Sequence, residues 1–197
     1  MPTPVPHASA AYVDPLPDTI PRVRLERPGT RHEREFLAAA LRSRALHRGF
    51  VTAPATAAEY HDYLGRARGG ARESFFVVTT ATGELAGVVD VNDIVRDAPS
   101  SGRIGYYAFA QFAGRGLLRE GLQLVVERAF RDLGLQRLDA HVQPGNRRSI
   151  VLLERLGFCR EGTARGVLKI GTRWRDHERW RLLVDDWGAD HADCVRA

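Results

Sequence analysis

From Pro21 onward the apolar residues fall into two rhythms. Val23 and Leu25 alternate with Arg22, Arg24 and Glu26, the period of two that a half-buried strand requires. Phe36, Leu37, Ala40 and Leu41 then recur at helical spacing behind Thr30 and Glu33, whose Thr-x-x-Glu pattern predicts a capping box and a helix start. Thr56 and Glu59 repeat the device, and Gly69-Gly70 is expected to end that second helix. SFFVVTT and LAGVVDVNDIV flank the turn Ala81-Thr82-Gly83-Glu84, which predicts a hairpin. Beyond the polar loop RDAPSSG, RIGYYAFA reads as another strand.

The helical rhythm returns after QFAGRG, with apolar residues at 117, 118, 122, 125, 126, 129 and 130 up to a stop at Gly134. RLDAHVQP is a strand ended by Pro144, and Asn146 caps the helix RRSIVLLERLG. FCREGTARGVLKIGTRWRDHERWRLLVDDW predicts two strands around a turn near Gly171. Strand, helix and strand across 103–144 form a crossover and imply a parallel pair, whereas the earlier strands are joined by hairpins. The expected fold class is therefore α/β (α+β), a single mixed central sheet flanked by helices.

Length and composition narrow this picture. A chain of 197 residues, 44% hydrophobic and 27% charged, suits one buried core rather than two domains. We expect a flexible segment over 1–19, where half of the prolines lie, one domain over 20–187 and a tail over 188–197. The formal net charge of +5 raises the question of nucleic acid. Yet the basic residues are nearly all arginines scattered among acids, with Lys169 the sole lysine, and no basic block or aromatic platform is present. No dedicated nucleic-acid binding is expected. No membrane span or signal peptide is visible. Cys159 and Cys194 have neither metal-ligand spacing nor a disulfide framework, so a reduced, cytoplasmic protein without a metal is expected.

The candidate chemistry centres on the glycine turn. Gln111-Phe112-Ala113-Gly114-Arg115-Gly116 stands between a predicted strand and a predicted helix. A helix start offers unpaired N–H groups and the positive end of the macrodipole. Glycines in front of it let a ligand approach the backbone, and Arg115 adds a charge, so the turn suits a pyrophosphate. The spacing is neither that of a nucleoside-triphosphate P-loop nor that of a dinucleotide fingerprint. The alternative is a strand-to-helix turn that uses glycine for its geometry alone.

That hexapeptide resembles the Q/R-x-x-G-x-G/A acyl-CoA-binding motif of the GCN5-related N-acetyltransferases (GNAT). Over roughly 20–187, IGYYAFAQFAGRGL, PGNRRSIVLLERLGF and EGTARGVLKIGTRWRDHERWRLLVDDW resemble, in order, segments of the RimJ/RimL group, which acetylates ribosomal-protein N-termini. The resemblance implies the GNAT acyl-CoA N-acyltransferase fold, in which two central parallel strands splay apart and hold the pantetheine arm of acetyl-CoA. Here those strands are Tyr106–Ala110, which includes Tyr107, Ala108 and Phe109, and Leu138–Val142. The resemblance places the pyrophosphate on the amides from Ala113 through Gly114, Arg115, Gly116 and Leu117 to Leu118, behind Gln111, and sets Asn146 against the cofactor arm.

The same resemblance bears on catalysis. The tyrosine that many members carry seven residues after the helix asparagine is replaced by Leu153, whereas the serine of the RimJ/RimL pattern is present as Ser149. It is the expected hydrogen-bond donor on the thiol side, its alternative being a second-turn capping serine. An amine must lose a proton to attack, and the base candidates are Asp90, His141 and Glu161, with Asn92 and Asp139 nearby. Trp174 and Asp176 match the acceptor's entrance. They share a strand face with Glu178 and Trp180, opposite Arg173, Arg175, His177, Arg179 and Arg181. The implied activity is acetyl transfer to a primary amine, a protein or peptide N-terminus in the first instance. A small amine (polyamine, aminoglycoside or amino-acid-like metabolite) and a non-catalytic acyl-CoA-binding module stay open. So does the choice between monomer and homodimer.

Overall fold

β1 (Val23–Glu26) leads into a single 3-10 turn, Thr30–His32, and then into α1 (Glu33–Arg42), α2 (Arg44–His47) and α3 (Ala57–Arg66). The Thr56 box forms as expected: the Glu59 N–H donates to Thr56 Oγ1 at 3.2 Å, and the Thr56 N–H donates to the Glu59 carboxylate at 3.2 Å. At Thr30 the outcome differs. His32 Nδ1 accepts the Gly29 N–H at 3.2 Å and closes a 3-10 turn, so the α-helix begins only at Glu33. α2, with four residues, is too short to show a period and was not legible in the sequence.

β2 (Glu73–Thr79), β3 (Leu85–Val95) and β4 (Ser101–Ala108) follow. α4 (Leu117–Arg131) then crosses to β5 (Arg137–Val142), and α5 (Arg147–Arg155) leads to the hairpin of β6 (Cys159–Ile170) and β7 (Arg173–Leu183). The structure, a computed structural model, describes residues 21–67 and 70–188. The expected flexible segment 1–19, residues 189–197 of the expected tail, Gly69 and Cys194 lie outside the described residues, so the expectation about the cysteine pair extends beyond them. No helix among the described residues is long and apolar enough to cross a membrane.

The strands form one sheet in the order β1-β2-β3-β4-β5-β7-β6, with β4 and β5 its parallel pair. This is the mixed sheet the crossover implied. Alternation along each strand gives the sheet two cores. On one face Val77, Val89, Ile104, Leu138 and Trp180 pack with Leu122 and Val125 of α4 and with Ile150 and Leu153 of α5. On the other, Phe76, Val78 and Val88 pack with Phe36 of α1 and with Tyr60 and Tyr63 of α3.

The parallel pair is short. β4 and β5 are in register only from Ser101↔Arg137 to Ile104↔Ala140. Beyond that point Tyr106, Tyr107 and Ala108 stay with β3, and His141 and Val142 stay with β7. Contacts from α1 and α2 explain the divergence. His47 Nε2 donates to the Ala108 carbonyl at 2.9 Å, and the Ala110 N–H donates to Ser43 Oγ at 2.9 Å. Polar groups at the end of β4 thus find partners away from β5. The splay follows.

Candidate active site

On the α4–α5 face the splay opens toward the glycine turn. Gly114 and Gly116 both have φ of +80°, a region costly for residues with a Cβ, and Gly116 is the N-cap of α4. The N–H groups of Leu117, Leu118 and Arg119 have no carbonyl one turn back inside the helix. The turn therefore presents donors and the positive end of a fifteen-residue helix at the mouth of the gap. Arg115 lies over the Phe112 ring, its guanidinium carbon 5.7 Å from the ring centre. Gln111 donates its side-chain N–H to Glu84 at 3.0 Å. An added Cβ at Gly116 would meet the guanidinium of Arg22 at 3.3 Å, and Arg22 itself is ion-paired with Glu120.

α5 begins across the gap. The Asn146 side chain accepts the Ser149 N–H at 3.3 Å, so it acts as an N-cap. Ser149 Oγ lies 2.6 Å from the hydroxyl of Tyr106 on β4. This bond joins the two sides of the splay. Burial raises the phenol pKa of Tyr106, which keeps it protonated across the working range. The sequence reading missed Tyr106 as a side chain. A signal was available, because alternation puts Tyr106 on the same face as Ile104, toward α5.

The second face carries the base candidates, and only one of them stands without a partner. Asp90 accepts from the Tyr63 hydroxyl at 3.1 Å and is ion-paired with Arg72 at 2.6 Å. Glu161 bridges Arg137 at 2.8 Å and Arg181 at 3.3 Å, and the Arg137 guanidinium holds it below the usual carboxylate range. His141 differs: its Nδ1 is buried and has no hydrogen-bond partner. Burial lowers its pKa, helped by the charges of Arg103, His177 and Arg179 and opposed by Asp139. The imidazole is thus kept neutral, with a lone pair to offer. Tyr107 points to this same face, packed edge-on against His47, and its buried hydroxyl likewise has no partner. The β4–β5 pairing ends at Ile104↔Ala140, so His141 is the first residue of β5 beyond it, and Tyr107 lies three residues past the end on β4.

Other expected residues are placed elsewhere. Phe109 is buried against Phe36, with its N–H bonded to the Ala86 carbonyl and its own carbonyl accepting from Phe112, so it packs rather than offering a strand edge. Asp176 accepts the Gly166 N–H at 2.8 Å and closes the irregular stretch of β6. Trp174, 65% exposed, stands near the tip of the β6–β7 hairpin rather than against the gap.

Residues 22–159 match the family model described as an acetyltransferase (GNAT) domain. A relative in Bacillus subtilis (strain 168), named Probable N-acetyltransferase YjcK, is 38% identical over 112 residues, 57% of this chain and 62% of its own. The [Ribosomal protein uS5]-alanine N-acetyltransferase of Escherichia coli (strain K12) is 36% identical over 104 residues, 53% of this chain and 54% of its own. The chain thus spans somewhat more than half the length of these curated relatives. Mycobacterium smegmatis RimJ, solved in complex with CoA-disulfide, superposes with a TM-score of 0.76 at 20% identity over 88% of this chain and 87% of that one, a likeness of fold.

Proposed function

The chain belongs to the GNAT acetyltransferase family, and from that premise we propose that it is an N-acetyltransferase that moves an acetyl group from acetyl-CoA to the α-amine of a protein or peptide N-terminus. One observation carries the reading. The β4–β5 pairing ends beside a helix start whose first amides have no partner, and the first β5 residue beyond that end is His141, whose buried Nδ1 is also unpartnered. A thioester and an amine are the reactants such a gap suits.

The donor set fits acetyl-CoA. Of the amides expected from Ala113 to Leu118, those of Ala113 and Arg115 donate to the Ala110 and Phe112 carbonyls, so Gly114, Gly116, Leu117 and Leu118 are left to hold the pyrophosphate, with the Arg115 side chain at hand and Gln111 supporting the turn. The strand edges at Tyr107 and Ala108 take the pantetheine amides as an added strand would, and Asn146 stands where the arm passes. Acetyl-CoA brings the acetyl group as an activated thioester. Ser149 faces the sulfur, and Tyr106 sets the direction of its hydrogen. Either hydroxyl of the 2.6 Å pair can donate, and with Tyr106 as donor the single hydrogen of Ser149 is left to point at the departing sulfur. Tyr106 is a positioning residue for Ser149. His141 Nδ1 takes the proton the amine must lose, directly or through one water.

The acceptor class rests on the relatives. The Escherichia coli protein is named for an alanine of ribosomal protein uS5, and an α-amine is the simplest acceptor common to that activity and this site. The arginines near His141 disfavour a polyamine, because Arg103 and Arg179 raise the positive potential where a polycation would lie. The test is incubation of the full chain with acetyl-CoA and peptides with free N-termini, with N-terminally blocked peptides as controls and mass spectrometry as the readout. Acetylated product from free peptides alone supports the reading. Absence of product with every amine tried refutes it.

A further inference from the structure

Four arginines lie on the His141 face of β4, β5 and β7, and three of them, level with the paired part of β4 and β5, are occupied. Arg103 is ion-paired with Asp93 at 2.5 Å. Arg137 holds Asp139 at 2.6 Å and Glu161 at 2.8 Å. Arg181 holds Glu161 at 3.3 Å and Asp186 at 2.9 Å. Arg179 has neither hydrogen bond nor ion pair among the described residues, and its side chain is exposed. It is also the direct cross-strand partner of His141, which puts the two side chains on one face with their Cβ atoms about 5 Å apart. Arg173 and Arg175 continue the row away from the gap, toward the hairpin tip.

We infer that the acceptor carries a carboxylate close to its reacting amine, and that Arg179 binds this carboxylate while the amine meets His141. The inference rests on the reading of the splay as an amine site. Its own support is the pairing pattern. A guanidinium offers a planar fork matched to a carboxylate, and Arg179 alone of the four presents that fork unused, beside the imidazole whose Nδ1 is also unused. Two unmet groups on adjacent strands, one acceptor and one double donor, describe a ligand with an amine and an anion. The guanidinium also favours the neutral forms of both His141 and the bound amine. An extended residue spans roughly 3.5 Å, so the anion lies within about two residues of the amine. An acidic side chain at the first or second position of a peptide supplies it, and so does the α-carboxylate of a free amino acid.

The experiment uses the full chain and peptides that differ only at their second residue: Asp, Asn or Lys. Alanine and alaninamide form a second pair that separates the α-carboxylate from the side-chain source. Two quantities are read: kcat/KM by release of free thiol, and equilibrium binding of each acceptor by calorimetry with and without coenzyme A. The expected wild-type order is Asp above Asn by about tenfold, with Lys lowest. Arg179→Gln brings the Asp and Asn peptides together, and Arg179→Glu places Lys above Asp. A larger gap between alanine and alaninamide than between Asp and Asn assigns the carboxylate to a free amino acid. Equal wild-type handling of all acceptors overturns the inference, as does an Asp preference that survives Arg179→Gln. If no acetyl group moves, that failure belongs to the proposed function, and the binding order still decides the role of Arg179. Thermal melting of the variants checks that an exposed side chain was replaced without loss of the fold.

Discussion

Tyr106 and Tyr107 are neighbours in the chain and opposites in circumstance. One points to the α4–α5 face and bonds Ser149 at 2.6 Å; the other points to the α1–α3 face with its hydroxyl buried and unmet. Their surroundings repeat the difference. On the first side the capping asparagine and the serine–tyrosine pair are satisfied from within the fold, and the free groups are backbone amides at a helix start. On the second side the free groups are side chains: an imidazole, a phenol and a guanidinium. A donor that is the same molecule at every turnover can be met by fixed backbone, which side-chain substitution does not remove. On the proposed reading the acceptor meets side chains, and relatives that share a fold can differ there. The contrast teaches where acceptor specificity is encoded.

The largest effect should come from the unmet imidazole. His141→Asn is expected to lower kcat by about 100-fold or more, the scale of a lost general base, while acetyl-CoA affinity holds. In the wild type the lowered pKa of His141 has a definite sign. The neutral, proton-accepting form is filled at lower pH than for an ordinary histidine, so the acid limb of kcat/KM rises below the usual histidine midpoint and is flat by neutrality. A limb that survives His141→Asn unchanged assigns the base elsewhere.

Next comes the backbone cradle. Gly116→Val puts a β-branched residue at φ +80° and a Cβ 3.3 Å from Arg22, so acetyl-CoA affinity should fall by about 50-fold in a calorimetric titration. The strain of a Cβ at positive φ should also lower the melting temperature by several degrees, so affinity is read well below the melting transition. A smaller effect is expected at the tyrosine–serine pair. Ser149→Ala and Tyr106→Phe should each lower kcat by about 10-fold with little change in acetyl-CoA binding. The double variant should lose scarcely more than either single one, since both remove one directed hydrogen. Additive losses would separate Tyr106 from Ser149.

The smallest effect compares the two tyrosines directly. Removing a satisfied hydroxyl costs about 1 kcal/mol, so Tyr106→Phe should lower the melting temperature by about 3 °C. Removing an unmet one costs nothing in the folded state, so Tyr107→Phe should leave the melting temperature unchanged or raise it slightly. Equal losses in both variants would dissolve the contrast.

Much of this frame was legible in the sequence, because period and turn chemistry are local. The strands, the long helix α4, the glycine turn and the Asn146 cap each lie within a window of ten or twenty residues. The crossover implied the parallel pair, and the family resemblance implied its splay. What escaped was non-local or too short. α2 has too few residues for a period, and at Thr30 the chain closes a 3-10 turn instead, with His32 Nδ1 accepting the Gly29 N–H three residues back. The Tyr106–Ser149 bond joins residues 43 apart in the chain, and no motif spans that distance. The base candidates looked alike in sequence, with Asp90, His141 and Glu161 all titratable groups on strands. Only the fold shows that Arg72 and Tyr63 occupy Asp90, and that Arg137 and Arg181 occupy Glu161. The free state of Arg179 is visible only against its three paired neighbours.

The most direct test of the central claim, that the splay and its glycine turn seat acetyl-CoA, is calorimetric titration of the full chain with acetyl-CoA beside ATP. The expected result is saturable micromolar binding of acetyl-CoA and none of ATP. No binding of acetyl-CoA, or equal binding of the two, would contradict it.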